Sequence, residues 1–526
     1  LLSLINDANP SVRQSVIYAI GGYVIEEAKL PVLKALKDPD PGVRNAAVYA
    51  LGNYKGDDVV NALISAMDDS DLSVRQGAIS SLGMTGGEKA VEPLIKALKD
   101  SNTDIRVYAA STLGNLKSTK AVEPLMELAN DREESLRSTA ISSLGYIKDE
   151  RAIPVLIKAL KDESLYIRET AAWSISYFRS KDAVKPLIKA LENEKETSGK
   201  SAMIYALGYT GDKRAVEPLL KFFKDETNKD LLYYLVTAMG SLKAEEATDT
   251  LLKLSQTGDS SVREMAIYSL ASIGGEKVIP GLRKALDDSD ENVKGAAIVS
   301  LTSMNDEPSF KQIASFMNDT SGNIRAVSTI CMGYIDKNSS SVLLKSLGDE
   351  DPFVRGTAAF SLMILKDKTI SAEVLKKYEV ETDSWAKAFS GIMLGRTECR
   401  EAEKEITKAL DSSDPLVKAS SIIALSDLGS EHIKGKLKAI YEENPGTDYE
   451  KVASVYGMIK FGNKDYENIL TGYLKNDDSF VRGLAALCME ELSMKESIPA
   501  IQEALDREDA PLSRLVMIKA IETLTK

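Results

Sequence analysis

The chain has 526 residues, 44% of them apolar but only 6% aromatic, so a large core must be built from small aliphatic side chains. Its 66 basic residues are outnumbered by 79 acidic ones, a net charge of −13, and the two signs are interleaved throughout, which argues against a nucleic-acid partner. No apolar run approaches a membrane span, and Cys331, Cys399 and Cys488 stand far apart without a CxxC pair, which excludes a zinc or redox motif of that kind and fits a cytoplasmic setting.

Periodicity comes next. A basic residue after a β-branched or leucine position falls at Arg13, Arg44, Arg75, Arg106, Arg137 and Arg168, 31 residues apart. The register blurs at Lys200 and Leu232 and returns at Arg263, Lys294, Arg325 and Arg355. Weaker copies follow at Trp385, Lys418, Lys451, Arg482 and Arg514. That makes about seventeen units, filling the chain. The chain opens at Leu1 inside a repeat, which leaves room for an upstream segment or a removed targeting signal.

Each unit predicts two helices. The first is exemplified by "AVEPLIKALKD" (residues 90–100), with apolar residues at spacings of three and four. Pro93, Pro124, Pro154, Pro186 and Pro218 sit in its first turn, where proline removes no helical hydrogen bond. The second is exemplified by "DIRVYAASTLGNL" (residues 104–116). Four residues before the basic anchor stands a capping side chain such as Asn9, Asp40, Asp71, Asn102, Ser164, Asp290, Asp351 or Asp414, while Glu133 is a poor cap. Eight residues after the anchor glycine recurs, at Gly21, Gly52, Gly83, Gly114, Gly145, Gly208, Gly240 and Gly333, a pattern that predicts close helix packing.

One helix pair cannot bury its apolar face alone, so the expected architecture is a stack. The cation at each second helix's start opposes the helix dipole and needs an anion. Six residues before it stands one. An Asp–Arg ladder is therefore expected along the inner turns, from Asp38, Arg44, Asp69, Arg75, Asp100, Arg106, Asp131, Arg137, Asp162 and Arg168, within a repeat or to its neighbour. The domain organisation expected is one continuous solenoid over 1–526, with regular repeats at 1–195, degenerate ones at 196–255, regular ones at 256–366 and divergent ones at 367–526. Longer turns account for the irregular stretches; a change of curvature near 366–405 is the sharper alternative.

The units "AVEPLIKALKDSNTDIRVYAASTLGNLKSTK" and "AIPVLIKALKDESLYIRETAAWSISYFRSKD" resemble HEAT repeats, and more closely the short HEAT-like repeats named after the phycobilisome lyases. The resemblance covers essentially the whole chain. It implies an all-α solenoid, a right-handed superhelix of about seventeen repeats whose second helices line the concave side. It says little of activity, because many functions use such folds.

Chemistry-bearing motifs are scarce. The single histidine, His432 in "GSEHIKG", reads as a polar residue near a helix start. The His-Glu pairs of deoxyhypusine hydroxylase, a di-iron enzyme with HEAT-like repeats, are missing. "GGEKA" and "GGEKV" lack the strand and the Lys-Ser/Thr ending of a phosphate loop. HEAT-like DNA glycosylases use a basic concave face, which this acidic chain does not suggest. No catalytic, cofactor or metal site is expected.

The variable surface is more telling. Five and nine residues past the anchor, repeats five to nine place Tyr146, Trp173, Tyr177, Tyr205, Tyr209 and Tyr268, with Tyr233 beside them, where quieter repeats carry Ser80, Ser111 and Ser142. Such rings are favoured at binding hot spots. The expected function is a non-catalytic scaffold that binds a protein or peptide partner on its concave face. The alternative is an accessory lyase or chaperone acting on a cofactor-bearing protein.

Overall fold

The computed structural model describes residues 2–223, 228–335, 339–442, 447–508 and 510–526. The irregular stretches "KDETNKDLLYYLV" and "YEENPGTDYEKVASVYG" lie partly outside them. All regular structure among the described residues is helical, and the fold is an all-α solenoid built of paired helices.

The first helix of each pair is shorter than its sequence pattern. In the repeat "AVEPLIKALKD" a 3-10 turn, Gly87–Ala90, precedes an α-helix of only Val91–Ala97. The second helix spans Thr103–Asn115, close to expectation. Its cap is Asn102, whose side chain accepts from the N–H groups of Asp104 and Ile105. Asp40, Asp71, Asp290, Asp351 and Asp414 cap their helices in the same way. Ser164, expected to cap, makes no side-chain bond there, and Glu133 makes none either.

The core is a row of small aliphatic residues between successive second helices. Ala46, Ala47, Ala109, Ala110, Ala171 and Ala172 are fully buried. The recurring glycines mark the closest approach. A Cβ on Gly114 would lie 2.7 Å from the Cβ of Ser143, and one on Gly145 would lie 2.8 Å from that of Ser174. Those serines hold the seam as well: Ser143 Oγ donates to Ala110 O at 2.9 Å and Ser174 Oγ to Ile141 O at 3.2 Å. Ser81, Ser269 and Ser361 do the same to Val48, Val236 and Thr329. A buried hydroxyl is thereby satisfied by a helical carbonyl of the preceding repeat.

Each anchoring arginine has a split task. Arg44 Nη1 donates to Asp38 O, six residues back in its own turn, at 2.9 Å. Its Nε and Nη2 fork onto the carboxylate of Asp69, in the next repeat, at 2.8 Å each. Arg13 forks likewise onto Asp38, and Arg137 onto Asp162. Asp38 and Asp69 also accept the N–H two residues on. Where the register blurs, Glu takes the role: Arg168 forks onto Glu194, Arg355 onto Glu381 and Arg482 onto Glu508. Arg75 and Arg106 differ. Arg75 Nη1 donates only to Asp69 O and Ser70 O, and Arg106 to Asp100 O, Ser101 O and the hydroxyl of Thr103. Among the described residues neither meets the carboxylate of Asp100 or Asp131, so the row of carboxylate contacts is interrupted there.

One anchor moves. Lys387, not Trp385, donates to a carbonyl six residues back, Glu381 O, at 3.0 Å, with Asp383 capping the helix. The preceding first helix, Ser371–Val380, is longer than Val91–Ala97 and the turn after it shorter, a net gain of one residue that shifts the register that the 31-residue spacing suggests. Trp385 packs on Phe389 and Phe480 instead.

The chain divides into two compact units, Leu1–Val278 and Ile279–Lys526. In the first, each second helix packs on the second helices before and after it. In the second, the end of the helix Pro352–Leu365 also meets a much later helix: Lys366 Nζ donates to Glu491 at 2.7 Å across 125 residues of sequence.

Candidate functional site

The second helices of the N-terminal unit carry the aromatic residues singled out in the sequence. The helix Glu134–Ile147 brings Tyr146, and Leu165–Ser176 with its cap residue brings Trp173 and Tyr177. Thr197–Tyr209 brings Tyr205 and Tyr209, Lys229–Ser241 brings Tyr233, and Ser260–Ile273 brings Tyr268. Tyr146 and Tyr177 stack with ring centroids 6.1 Å apart. Trp173 meets Tyr205 at 4.6 Å, and Tyr205 stacks on Tyr209 at 4.4 Å.

Tyr234 belongs to the group although sequence reasoning missed it. Its ring lies 6.3 Å from Trp173, 6.4 Å from Tyr205 and 5.6 Å from Tyr233. It stands two residues past the anchor position, a slot that holds Ala46, Gly77 and Thr170 but also Tyr108 elsewhere, and its own anchor, Leu232, lies where the register blurs. Tyr268 stands apart, with no ring partner among the described residues. The structure thus brings together a pair, Tyr146 and Tyr177, and a five-ring cluster around Tyr205.

The rings are not sealed. Tyr146, Tyr177, Tyr209 and Tyr268 are exposed, while Trp173, Tyr205, Tyr233 and Tyr234 are half-buried against one another. Burial, together with the neighbouring Tyr209, raises the Tyr205 phenol far above its ordinary range. Burial also raises Tyr268, helped by the charge of Glu264. Lys148 sits over the Tyr177 ring, 5.5 Å from its centroid. The Tyr205 and Tyr268 phenols stay protonated donors at neutral pH, on a platform with an apolar body and polar tips.

The same slots behave differently in the C-terminal unit. Phe360 and Tyr456, five past their anchors, are 2% and 0% exposed. Tyr334, nine past Arg325, is half-buried. In that unit this face is covered by the unit's own later helices, so the platform is confined to the first unit. His432 is exposed, 3.0 Å from Lys436 Nζ. Among the described residues no group of three or more His, Cys, Asp or Glu side chains is gathered in a way that could hold a metal ion, and no helix is long and apolar enough to cross a membrane.

Stacked helix pairs joined by a Gly–Ser seam define a helical-repeat protein. The HEAT-repeat profile matches residues 1–83, 31–102, 91–176, 153–233 and 217–302, more than half of the chain; the chain belongs to the HEAT-repeat family. Yeast importin-beta, Kap95p, is similar in structure, at 11% identity over 100% of this chain and 88% of that chain, with a TM-score of 0.60. The karyopherin Kap121p, solved bound to the extreme C-terminus of the protein phosphatase Cdc14p, is 9% identical over 99% of this chain and 74% of that chain, with a TM-score of 0.50. These two likenesses show the fold alone. The CpcE–CpcF complex of phycocyanin lyase from Nostoc sp. PCC7120 is 25% identical over 47% of this chain and 93% of that chain, with a TM-score of 0.31. No curated protein sequence matches this chain.

Proposed function

We propose that this chain is a non-catalytic scaffold that binds a protein partner through the aromatic platform of its N-terminal unit. The observation that carries the reading is the substitution of large rings for serine at equivalent slots. Ser80, Ser111 and Ser142 give way to Trp173, Tyr205 and Tyr268, and the neighbouring rings Tyr146, Tyr177 and Tyr209 remain exposed. Seam packing does not require rings there, since the serine-bearing repeats close the same seam without them. The second helices over residues 134–273 carry no Asn or Gln. They offer no side-chain amides to an extended backbone, which favours a partner whose own backbone is already bonded, in a helix or folded surface. Kap121p, of the same fold, shows that such a stack can hold a protein segment. The net charge of −13 disfavours a nucleic-acid partner, and the free, buried Cys331, Cys399 and Cys488 suit a reducing, cytoplasmic location.

The test is a triple variant, Trp173→Ser, Tyr205→Ser and Tyr209→Ser, which copies the quieter repeats. Its circular dichroism should match that of the native chain. Affinity for a partner isolated by cross-linking and mass spectrometry should fall tenfold or more, since hot-spot aromatics are each worth about 2 kcal/mol. Loss of folding in the variant would mean that the rings are packing; a folded variant with native affinity would move the site elsewhere.

A further inference from the structure

Within the C-terminal unit, the end of the array closes back on earlier repeats. The helix Ser479–Glu491 lies against Ser384–Arg396 and Pro352–Leu365. Phe480 packs on Trp385 at 5.3 Å, Phe389 at 6.3 Å and Tyr449 at 5.8 Å between centroids. Arg396 Nη2 donates to Leu487 O at 3.5 Å, 91 residues further on, and its Nε lies 3.3 Å from Glu491. Lys366 completes that pair.

Counting from Lys387, Lys418, Lys451 and Arg482, the ninth residue is Arg396, Asp427, Lys460 and Glu491. Charge alternates along a slot that the N-terminal unit fills with Tyr146, Tyr177 and Tyr209. Lys460 Nζ is 3.3 Å from Asp427, and the Tyr456 hydroxyl donates to the same carboxylate. The side chains of Arg396 and Asp427 are 3% and 4% exposed.

This seam is imperfect in both its polar and its apolar halves. Among the described residues, Arg396 Nε makes no hydrogen bond beyond its 3.3 Å ion-pair contact with Glu491, and Asp427 Oδ2 and the Tyr334 hydroxyl are buried without a hydrogen-bond partner. Burial pushes the Asp427 carboxyl above its ordinary value. Each such group carries a desolvation cost that hydration would return. Between Phe360, Phe389, Phe480 and Leu487 the side chains leave a gap of about 20 Å³, and beside Tyr334 and Arg396 another of about 10 Å³. A closure made for permanence would be filled and apolar.

We propose that this closure is a releasable clasp: the helices Ser479–Glu491 and Pro511–Thr525 cover the inner face of the earlier repeats of the unit and open as one piece. Opening uncovers Phe360, Phe389, Phe480, Leu484 and Leu487, in the unit that otherwise lacks an exposed platform. The ion pair of Arg396 with Glu491 sets the balance between the two states. The clasp is independent of the aromatic platform and stands or falls without it.

The experiment is hydrogen exchange on the full chain. Arg396→Met leaves Glu491 with Lys366 alone. Amides of the two terminal helices should then exchange at least tenfold faster than those of Glu403–Ala409, an outer helix of the same unit, with more hydrophobic-dye binding and unchanged helicity. Adding Glu491→Leu removes both charges of that ion pair and should slow exchange of the same helices to below the native rate. Exchange unchanged in the single variant, or faster in step throughout the unit, would overturn the clasp. Should Arg396→Met fail to fold, Phe480→Ser loosens the apolar half without touching a charge. It must give the same selective acceleration, and a uniform one would overturn the proposal.

Discussion

Arg44 and Arg106 occupy the same slot, two repeats apart, with different partners. Arg44 joins its own turn to the carboxylate of the next repeat, whereas Arg106 bonds only within its turn. Arg44→Ala leaves Asp69 half-buried without its cation and should cost about 1–3 kcal/mol, discounted toward the lower figure by solvent at the rim. Arg106→Ala should cost about 1 kcal/mol, since it gives up bonds from a cation to uncharged acceptors at a wet edge and strands no half-buried carboxylate. Urea denaturation of the two variants distinguishes them; equal losses would mean that the fork contributes nothing. The sequence made the arginine row plain but not its destinations. Own-repeat and next-repeat carboxylates are equally periodic, and only the stacking geometry selects between them. Tyr234 escaped for another reason: its slot carries a ring in few repeats, as at Tyr108, and its own anchor, Leu232, lies where the register blurs.

At the scale of the helix, the glycines eight residues past each anchor record how tightly second helices meet. Gly114→Ala would set a methyl 2.7 Å from Ser143. The overpacking cost, about 1–3 kcal/mol, outweighs the gain of about 1 kcal/mol in helix propensity. Gly22→Ala, inside the helix Pro10–Tyr23 with nothing within 4 Å of the new atom, should instead stabilise by about 0.5–1 kcal/mol. Thermal melts of the pair should therefore shift in opposite directions. The close approach was legible from the glycine spacing. The serine that meets Gly114, Gly145, Gly240 and Gly333 was not, because a serine two residues earlier in the next repeat looks like any buried small residue until its hydroxyl is seen on a carbonyl. The closure of the C-terminal unit was hidden by one shifted anchor: with Trp385 as the reference, Arg396 falls out of line with Asp427, Lys460 and Glu491. Contacts that span 125 residues leave no trace in a local period in any case.

At the scale of the whole molecule, acid is the simplest global probe. Arginine hydrogen bonds hold Asp38, Asp69 and Glu194 below their ordinary values. A depressed folded-state value means stability that is present above the ordinary carboxylate range and lost as pH falls through the folded value. Asp427 is shifted the other way, so protonation relieves it and opposes that loss in the C-terminal unit alone. The melting temperature should be nearly flat from neutrality down to about pH 5 and fall steeply below about pH 4. Hydrogen exchange at low pH should show the repeats around Arg13, Arg44 and Arg168 opening first. A melting temperature that does not change with acid would show that these pairs carry no net stability.

Because Gly114 meets Ser143 as Gly145 meets Ser174, the two faces of a repeat match those of its neighbours. Unequal crossing-over that removes or duplicates 31 residues in this part of the gene joins a familiar glycine to a familiar serine and leaves the seam whole. The C-terminal unit has no such freedom. Arg396 must return to Glu491, and one added repeat would carry it about 8–10 Å out of reach. Descendants of this gene can therefore lengthen or shorten through the repeats around Gly114 and Gly145, while the number of repeats between Arg396 and Glu491 is held fixed by their contact.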